Sequence, residues 1–505
     1  MDSLSYLFQK SSIEKRNEAC NENCRMKTAD SVQSRFHTLF FDIRNIFGYL
    51  CALNKKEIYY MASNTAMKTR LIVMNFLEFA VWGCYLVSMG IYLGSVNLGD
   101  HIFWFYTGQG LVSLFMPALI GIIADKWIPA QKMLSLCHGI AGIFMLLAGW
   151  YCWQSDGNVD FGTLFTFYTL SIAFFMPTIG LANSVAFNAL NKAGLDTVTA
   201  FPPIRIFGTI GFICAELFVN FTNFQSTYAQ FISSGVVSLI LMIYALTMPN
   251  CPVNPSSGSS ISETLGLSAF KLFKRRTMAV FFMFSMLLGV CLQITNSYGT
   301  MFIDSFQNIA EYAQTWGARN ATALTAISQA SEALCILLIP FCLKKFGIKG
   351  VMLTAMMAWV FRFGFFGIGN TGSGLVWIIL SCVVYGVAFD FFNVAGGLFV
   401  DQQTDKKLRS SAQGLFMIMT NGIGASVGTF LAGTLVVNKH VDMSGMTSAA
   451  ENLSGWQHSW FIFAAYALII SILFIFIFKA PKTSENISLA KAEDIDGGDP
   501  EGMAQ

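Results

Sequence analysis

Long apolar stretches separated by short polar loops run along the chain from residue 71 to residue 479. A helix rises 1.5 Å per residue, so about 20 apolar residues are needed to cross about 30 Å of hydrocarbon. Twelve stretches meet this requirement: 71–93, 102–123, 133–152, 162–185, 203–221, 228–248, 277–300, 321–343, 349–369, 374–398, 410–436 and 457–479. The pattern therefore predicts an all-α polytopic membrane protein with twelve transmembrane helices.

Basic residues are distributed unevenly between alternate loops. One set of loops carries only Arg319 and Lys439. The other set carries thirteen: Lys126, Lys132, Lys192, Lys271, Lys274, Arg275, Arg276, Lys344, Lys345, Lys349, Lys406, Lys407 and Arg409. Because cytoplasmic loops are enriched in Lys and Arg, this asymmetry predicts that both termini are cytoplasmic in the cytoplasmic (inner) membrane.

The longest polar interruption between apolar stretches, residues 249–276, divides six predicted spans from six. Two six-helix halves, 67–248 and 277–480, joined by a cytoplasmic linker are typical of the major facilitator fold of secondary transporters. Residues 1–66 lack the regions of a signal peptide. We expect them to be a disordered extension or to follow a start assigned too early, and we expect 481–505 to be a disordered cytoplasmic tail.

The composition agrees with a membrane protein and excludes several other classes. Of the 505 residues, 54% are hydrophobic and 12% are charged, and the mean hydropathy is +0.56. A soluble domain has about 25% charged residues. A net charge of +2 argues against nucleic acid as a partner. The twelve cysteines show no CxxC or Cys/His spacing. We therefore expect no metal site, no cofactor and no enzymatic activity.

Five ionisable residues fall inside predicted spans: Glu78, Arg205, Glu332, Arg362 and Asp390. A charge in the bilayer centre costs a few kcal/mol or more, so such residues usually face the bundle interior and have a function. Glu78 is either the partner of a buried arginine or a proton site. For Arg362, in an aromatic run, a structural ion pair or an interhelical anchor is favoured over ligand contact.

Several helices carry polar and aromatic residues at spacings that place them on one face. These are Arg205, Thr209 and Phe212; Gln293 and Asn296; Gln329 and Glu332; and Tyr385, Phe389 and Asp390. Amides, carboxylates and rings directed together suit a neutral, polar ligand that contains a ring. The alternative is that the amides only join helices by hydrogen bonds and that the rings only pack.

A candidate cytoplasmic gate follows the second predicted span. Gly121, Asp125 and Lys126 lie in this loop, and a comparable basic loop with Lys344 and Lys345 follows the eighth span. Asp125 is placed to cap a neighbouring helix end or to pair with a cation. The alternative is that these basic residues only set the topology.

The same segments resemble the nucleoside:proton symporter family of the major facilitator superfamily, over about residues 68–480. The matching motifs are Phe201-Pro-Pro-Ile-Arg205-Ile-Phe-Gly-Thr209-Ile-Gly-Phe212, Leu292-Gln293-Ile-Thr-Asn296, Ile327-Ser-Gln329-Ala-Ser-Glu332, Tyr385-Gly-Val-Ala-Phe389-Asp390-Phe-Phe-Asn393 and Phe115-Met-Pro-Ala-Leu-Ile-Gly121 with Asp125-Lys126-Trp127. The resemblance implies that the ten residues on the polar faces contact the ligand. The chain departs from the family in its 66-residue extension and at Glu78, where the family commonly has Gln.

The resemblance implies a monomeric transporter that imports nucleosides together with protons by alternating access, driven by the proton gradient in a lipid bilayer. An uncharged nucleoside cannot be driven by the membrane potential directly, so a protein group has to load a proton with it. The candidates are Asp390, Glu332 and Glu78. Two alternatives stay open: a transporter of another small polar solute, such as a sugar or a drug, and a membrane sensor that does not transport.

Overall fold

The computed structural model describes residues 55–253, 267–404, 409–443 and 447–479. Residues 1–54 of the predicted extension and the whole predicted tail lie outside these ranges. The chain divides into two units between Thr65 and Ala66. Apart from the first turns of its first helix, everything below concerns the unit that begins at Ala66. Within the described ranges the regular structure is helical, without strands, as the apolar pattern predicts.

Fourteen helices are labelled here in chain order. They are α1 (Lys55–Gly83), α2 (Met89–Ser95), α3 (Ile102–Lys126), α4 (Ala130–Gln154), α5 (Phe161–Lys192), α6 (Thr197–Phe221), α7 (Ala229–Ala245), α8 (Arg276–Ser305), α9 (Ala321–Cys335), α10 (Ile339–Ile368), α11 (Leu375–Gln403), α12 (Arg409–Met417), α13 (Ala425–Leu431) and α14 (Ala449–Ile477). Two π-helical segments, Ile418–Gly424 and Ala432–Val437, flank α13. Single turns, such as Trp316–Arg319, occupy some of the loops.

Nine helical segments of the described chain are long and apolar enough to cross a membrane. One of them, Ala321–Ile368, covers two of the predicted spans and is kinked at Gly347, whose φ of +66° is readily adopted only by glycine. Helix α7 has only 17 residues, and the first predicted span is divided between α1 and α2. The protein is thus a multi-pass membrane protein, whereas the count of twelve spans stays a prediction.

The helices pack in two groups, α1–α7 and α8–α14. In the first group α4 contacts α5 and α7, and in the second α10 contacts α11 and α14. The groups meet where α6 packs on α9 and where α3 packs on α13 and the π-helical segment before it. These two contacts flank the space in which the predicted site residues lie.

Candidate functional site

A cavity of about 880 Å³ lies between the two groups of helices. Nine of the ten predicted ligand contacts line it: Arg205, Thr209, Phe212, Gln293, Asn296, Gln329, Glu332, Tyr385 and Phe389. Asp390, the tenth, is buried on the same helix but is not part of the lining. Residues that are more than 120 positions apart in sequence are therefore brought to one site.

The wall formed by α6 combines a cation with aromatic rings. Arg205, Thr209 and Phe212 follow one another at i, i+4 and i+7, so they face the cavity as a stripe. The guanidinium carbon of Arg205 lies 3.8 Å from the centroid of the Phe79 ring on α1. Phe212 packs edge-on against Trp82, with ring centroids 6.5 Å apart. This wall can stack on a flat ligand and hydrogen-bond to it.

The opposite wall presents amides from α8 and α9. Asn296 donates a hydrogen bond to Gln293 across one turn of α8, with 3.5 Å between Nδ2 and Oε1. The Oε1 atom of Gln329 is buried and has no hydrogen-bond partner among the described residues. An unsatisfied buried amide oxygen is costly, so it is available to accept from a ligand hydroxyl or amine.

Helix α11 contributes an aromatic pair. The rings of Tyr385 and Phe389 are stacked, with centroids 5.8 Å apart and planes 8° apart. Trp359 meets Tyr385 edge-on behind them, at 5.9 Å. The pair forms an apolar surface beside the amides, on which a flat ring can stack.

The charges around the cavity do not balance one to one. Glu332, Glu78 and Asp390 all act electrostatically on Arg205, with Glu332 the strongest, and Glu332 and Asp390 also repel each other. Asp390 is 5% exposed, and its Oδ2 has no hydrogen-bond partner in the described part of the chain. With Glu78 paired elsewhere, as described next, one arginine faces two carboxyl groups. If both carboxyl groups were ionised, one negative charge would have no counter-charge.

Glu78 is held by a histidine rather than by an arginine. Its Oε2 lies 2.9 Å from Nε2 of His138 on α4, and its Oε1 accepts a hydrogen bond of 2.6 Å from Thr178 on α5. The other ring nitrogen of His138 is 3.0 Å from the hydroxyl oxygen of Ser238 on α7. Glu78 does not line the cavity. The group fixes α1 to three neighbouring helices.

Arg362 serves as an interhelical anchor, one of the two roles that the sequence favours. Its Nη1 donates to the carbonyl of Ser381 at 2.7 Å and to the hydroxyl of Ser328 at 3.4 Å, and its Nε donates to Thr295 at 3.4 Å. Its guanidinium also lies 4.5 Å from the centroid of the Tyr385 ring. Arg362 therefore joins four helices and supports the aromatic pair from behind.

Sequence reasoning missed several polar residues of the site. Gln109 and Ser113 on α3, spaced i and i+4, and Asn421 in the π-helical segment line the cavity. The spacing of the first two is a signal that could have identified them. Glu216, one turn beyond Phe212 on α6, is fully buried at the contact with α9. It continues the Arg205 stripe at i+11 and could have been found in the same way.

The predicted cytoplasmic gate lies at the end of α3. Gly121 has open space around its Cα, since no atom lies within 4 Å of an added Cβ. Lys126 is the last residue of α3, and the side chain of Asp125 lies outside what the structure describes. The gate stays a prediction.

Comparisons with known proteins match this chain to one family of transporters. The family model described as Nucleoside H+ symporter matches residues 65–483. The chain is 42% identical to xanthosine permease of Escherichia coli K12 over 425 residues, 83% of this chain and 97% of that one. It is 40% identical to nucleoside permease NupG of the same organism over 418 residues, 82% of this chain and 96% of that one.

The fold is shared with a solved relative. The crystal structure of the nucleoside transporter NupG superposes with a TM-score of 0.74 and 39% identity, covering 82% of this chain and all of that one. A family match over most of the chain, and two relatives at 40% identity or more, agree with the motifs quoted from the sequence. The chain therefore belongs to the nucleoside:proton symporter family.

Proposed function

We propose that this protein imports nucleosides together with protons by alternating access. The observation that carries the proposal is the convergence of Arg205, the amides of α8 and α9 and the stacked rings of α11 on one cavity, with two carboxyl groups facing a single arginine. All of these groups lie on one chain, so we propose a monomer as the transporting unit.

The cavity suits a nucleoside in size and chemistry. Ligand pockets of about 300–1,000 Å³ bury most of a small molecule, and this cavity of about 880 Å³ lies in that range. We propose that the base stacks on Tyr385 and Phe389. We place the sugar hydroxyls and the polar edge of the base against Gln293, Asn296 and Gln329, with Thr209 and Phe212 completing the opposite wall.

Proton coupling follows from the charge of the ligand and of the site. A nucleoside is uncharged near neutral pH, so only a co-transported ion can make its accumulation respond to the membrane potential. We propose that Glu332 or Asp390 carries the proton, since the two share Arg205. One charge crossing about 100 mV supplies about 2.3 kcal/mol, which corresponds to nearly fifty-fold accumulation.

The orientation and the state of the transporter are parts of the same proposal. Hydrogen bonds between the two groups of helices lie near the loops that carry few basic residues: Asn220 to Asn320, Thr322 to Gln225 and Thr107 to Ser426. The cavity lining continues toward the opposite ends, to Ala118 and Gly414. We therefore propose an arrangement that is closed to the outside. We also propose that the protein lies in the cytoplasmic (inner) membrane with both termini in the cytoplasm.

The finer architecture, twelve spans in two six-helix halves with a cytoplasmic linker, is also proposed. This architecture is supported because each of the twelve predicted apolar stretches coincides with one helix or with two successive helices. The resemblance to the NupG structure covers 82% of this chain, and the family model matches residues 65–483. No cofactor enters the proposal, because the proton gradient supplies the energy.

Uptake of radiolabelled uridine into proteoliposomes, with and without an imposed pH gradient, tests the proposed function. We expect accumulation above equilibrium only with the gradient, acidification of the interior as uridine enters, and competition by adenosine but not by glucose. Competition by glucose would favour a sugar transporter instead. Saturable binding without accumulation would favour a sensor.

A further inference from the structure

A buried carboxyl group lies at the contact between α6 and α9 and is not part of the cavity lining. Glu216 is fully buried, and its Oε1 lies 2.8 Å from the hydroxyl oxygen of Thr325 on α9. Its Oε2 has no hydrogen-bond partner in the part of the chain that is described. The mechanism proposed above does not use this group.

The contact around Glu216 is one of the places where the two groups of helices are joined. Toward the loop end of α6, Asn220 donates to Asn320 at 2.8 Å and accepts from the backbone N–H of Ala323 at 3.1 Å. Gln225 accepts from Thr322 at 2.6 Å. The hydrogen bonds of Asn220 and Gln225 join neutral groups, whereas Glu216 is the one acidic side chain among the described residues that hydrogen-bonds across this contact.

The groups that face Glu216 do not neutralise a charge on it. Cys84, just beyond the end of α1, belongs to the apolar cluster beside it. Thr300 on α8 contacts Thr325, and α11 presents Cys382 and Tyr385. Thiols and phenols are uncharged at neutral pH. The buried cation of the second group, Arg362, donates instead to Thr295, Ser328 and Ser381, and Glu216 forms no ion pair with any described residue.

The hydroxyl of Thr325 fits a protonated Glu216. Its single hydrogen can go to Glu216 or to the carbonyl of Thr322, which is also 2.8 Å away. If Glu216 carries a proton, it donates to Thr325, and Thr325 donates to Thr322, so every hydrogen is used. If Glu216 is ionised, the charge is buried with one oxygen bare, which is strongly unfavourable.

Alternating access, proposed above, requires the contact between α6 and α9 to open during the cycle. On that basis, we propose that Glu216 binds a proton when this contact closes and releases it when the contact opens. Separation of the helices brings water to the carboxyl group, and water stabilises its ionised form. The closed contact therefore takes up a proton from the side on which it closes. Acidity favours the closed state, and alkalinity favours the open one.

The test uses a thiol reporter in the purified full-length protein. Ala323→Cys places a thiol at a buried position of the contact, and its rate of reaction with a maleimide reports opening. Labelling is corrected with the same protein without the reporter, since native cysteines are present. Because the thiolate is the form that reacts, the rate at each pH is divided by that of a small free thiol measured under the same conditions. With Glu216 in place, we expect this normalised rate to rise with pH, by at most about tenfold per unit, because one proton is released on opening.

Glu216→Gln should give slow labelling whose normalised rate no longer depends on pH, since the amide cannot ionise. Asn220→Ala is the matched control: it removes a hydrogen bond at the same contact and keeps the carboxyl group, so labelling should be faster but should still rise with pH. An unchanged pH dependence in Glu216→Gln would assign the effect to Glu332 or Asp390 and would overturn the proposal.

Two further measurements keep the result unambiguous. Gel filtration checks that each variant is folded, and Glu216→Met supplies a second uncharged side chain of similar length if Glu216→Gln does not fold. Acidification driven by uridine in wild-type proteoliposomes tests symport separately. Its absence would contradict the proposed function, whereas the pH dependence of labelling decides the role of Glu216.

Discussion

The carboxyl group of Glu78 and the imidazole of His138 are 2.9 Å apart, and both side chains are almost completely buried, at 1% and 0% exposure. The hydroxyl of Ser238 donates to the carbonyl oxygen of His138 at 2.9 Å, so it accepts from Nδ1–H of the ring. One proton is therefore shared between Nε2 of His138 and Oε2 of Glu78. In either position of that proton, the pair has no net charge.

This arrangement predicts that Glu78→Gln is tolerated. The amide can donate to Nε2 of a neutral His138 and can accept from Thr178, so no buried atom loses its partner. We expect the stability to change by less than about 1 kcal/mol and accumulation driven by pH to be retained. His138→Ala removes one partner of a buried pair and should cost about 3 kcal/mol or more. Thermal unfolding in detergent and uridine uptake measure both effects.

Loss of gradient-driven accumulation in Glu78→Gln, with binding and folding intact, would instead make Glu78 the proton carrier. The double variant Glu78→Gln with His138→Gln tests the loss of the ionisable groups without a large loss of side-chain volume, since both positions then carry a neutral amide. Its stability should lie above that of His138→Ala, because neither side chain then leaves a charge behind.

The two carboxyl groups beside Arg205 should separate binding from coupling. Asp390 is buried behind the cavity, whereas Glu332 lines it. We therefore expect Asp390→Asn to exchange labelled for unlabelled uridine across the membrane but to lose accumulation driven by a pH gradient. Glu332→Gln should lower uridine affinity as well, by about tenfold, for the loss of one hydrogen bond to a charged group.

Exchange and accumulation assays in proteoliposomes check these outcomes, with a titration of uridine binding for each variant. Normal accumulation in both variants would contradict the proposed coupling. The reverse assignment, in which Asp390→Asn loses binding and Glu332→Gln loses only coupling, would place the proton on Glu332.

Much of this site could be predicted because it follows helical periodicity. Arg205, Thr209 and Phe212 recur at i, i+4 and i+7, and such a stripe faces one direction whatever the helix packs against. The same rule, applied strictly, separates Phe389 from Asp390, which are predicted above to share one face, since successive residues on a helix point about 100° apart. Phe389 lines the cavity, and Asp390 lies behind it.

Other relationships depend on how distant helices meet, and periodicity does not contain them. Glu78 and His138 are 60 residues apart, and only the packing of α1 on α4 makes them partners. The helical stripe extends to Glu216, but its contact with Thr325 arises where two separate groups of helices touch. The division of the first predicted span between α1 and α2 occurs within an unbroken apolar run. A count of hydrophobic residues does not detect such a break.

The aromatic pair on α11 predicts a loss of affinity that is specific to one ring. Phe389→Ala removes one member of the stack with Tyr385, and stacking of a base on an aromatic side chain contributes about 1–3 kcal/mol. We therefore expect uridine to bind about tenfold more weakly or worse, measured by calorimetry on the purified protein. Phe361→Ala, which removes an exposed ring on α10 that stacks on Phe365, is the matched control and should leave binding unchanged.

Close packing of α1 on α6 predicts opposite effects for two glycines. A Cβ at Gly211 would overlap the backbone carbonyl of Phe76, which cannot move without the helix, whereas no atom lies within 4 Å of a Cβ at Gly364. Gly211→Ala should therefore lower the free energy of unfolding by about 1–3 kcal/mol. Gly364→Ala should be neutral or stabilising by up to about 1 kcal/mol, because alanine favours helix. Equal melting temperatures for the two variants would contradict the close contact.

A helix cap outside the membrane predicts a pH dependence of stability. Asp160 precedes α5, and its Oδ2 accepts from the backbone N–H of Thr163 at 2.8 Å and from the Thr163 hydroxyl at 3.0 Å. These hydrogen bonds, the backbone one first, hold the pKa of the Asp160 carboxyl below its ordinary value. A folded pKa below the unfolded one of about 3.9 means that the ionised cap stabilises the protein above that pH.

This stabilisation should be lost as the pH falls from about 4 through the lower folded pKa. Asp160→Asn keeps an acceptor for Thr163 but does not ionise, so its melting temperature should vary less with pH over this range than that of the wild type. Asp160→Ala has no acceptor and should melt earlier at pH 7, where the wild-type cap is fully ionised. Melting curves in detergent from pH 3 to pH 7 measure the difference between wild type and variant, which cancels the titration of other groups. A difference between wild type and Asp160→Asn that stays constant with pH would show that the cap does not titrate, because the two proteins differ only in that one ionisable group.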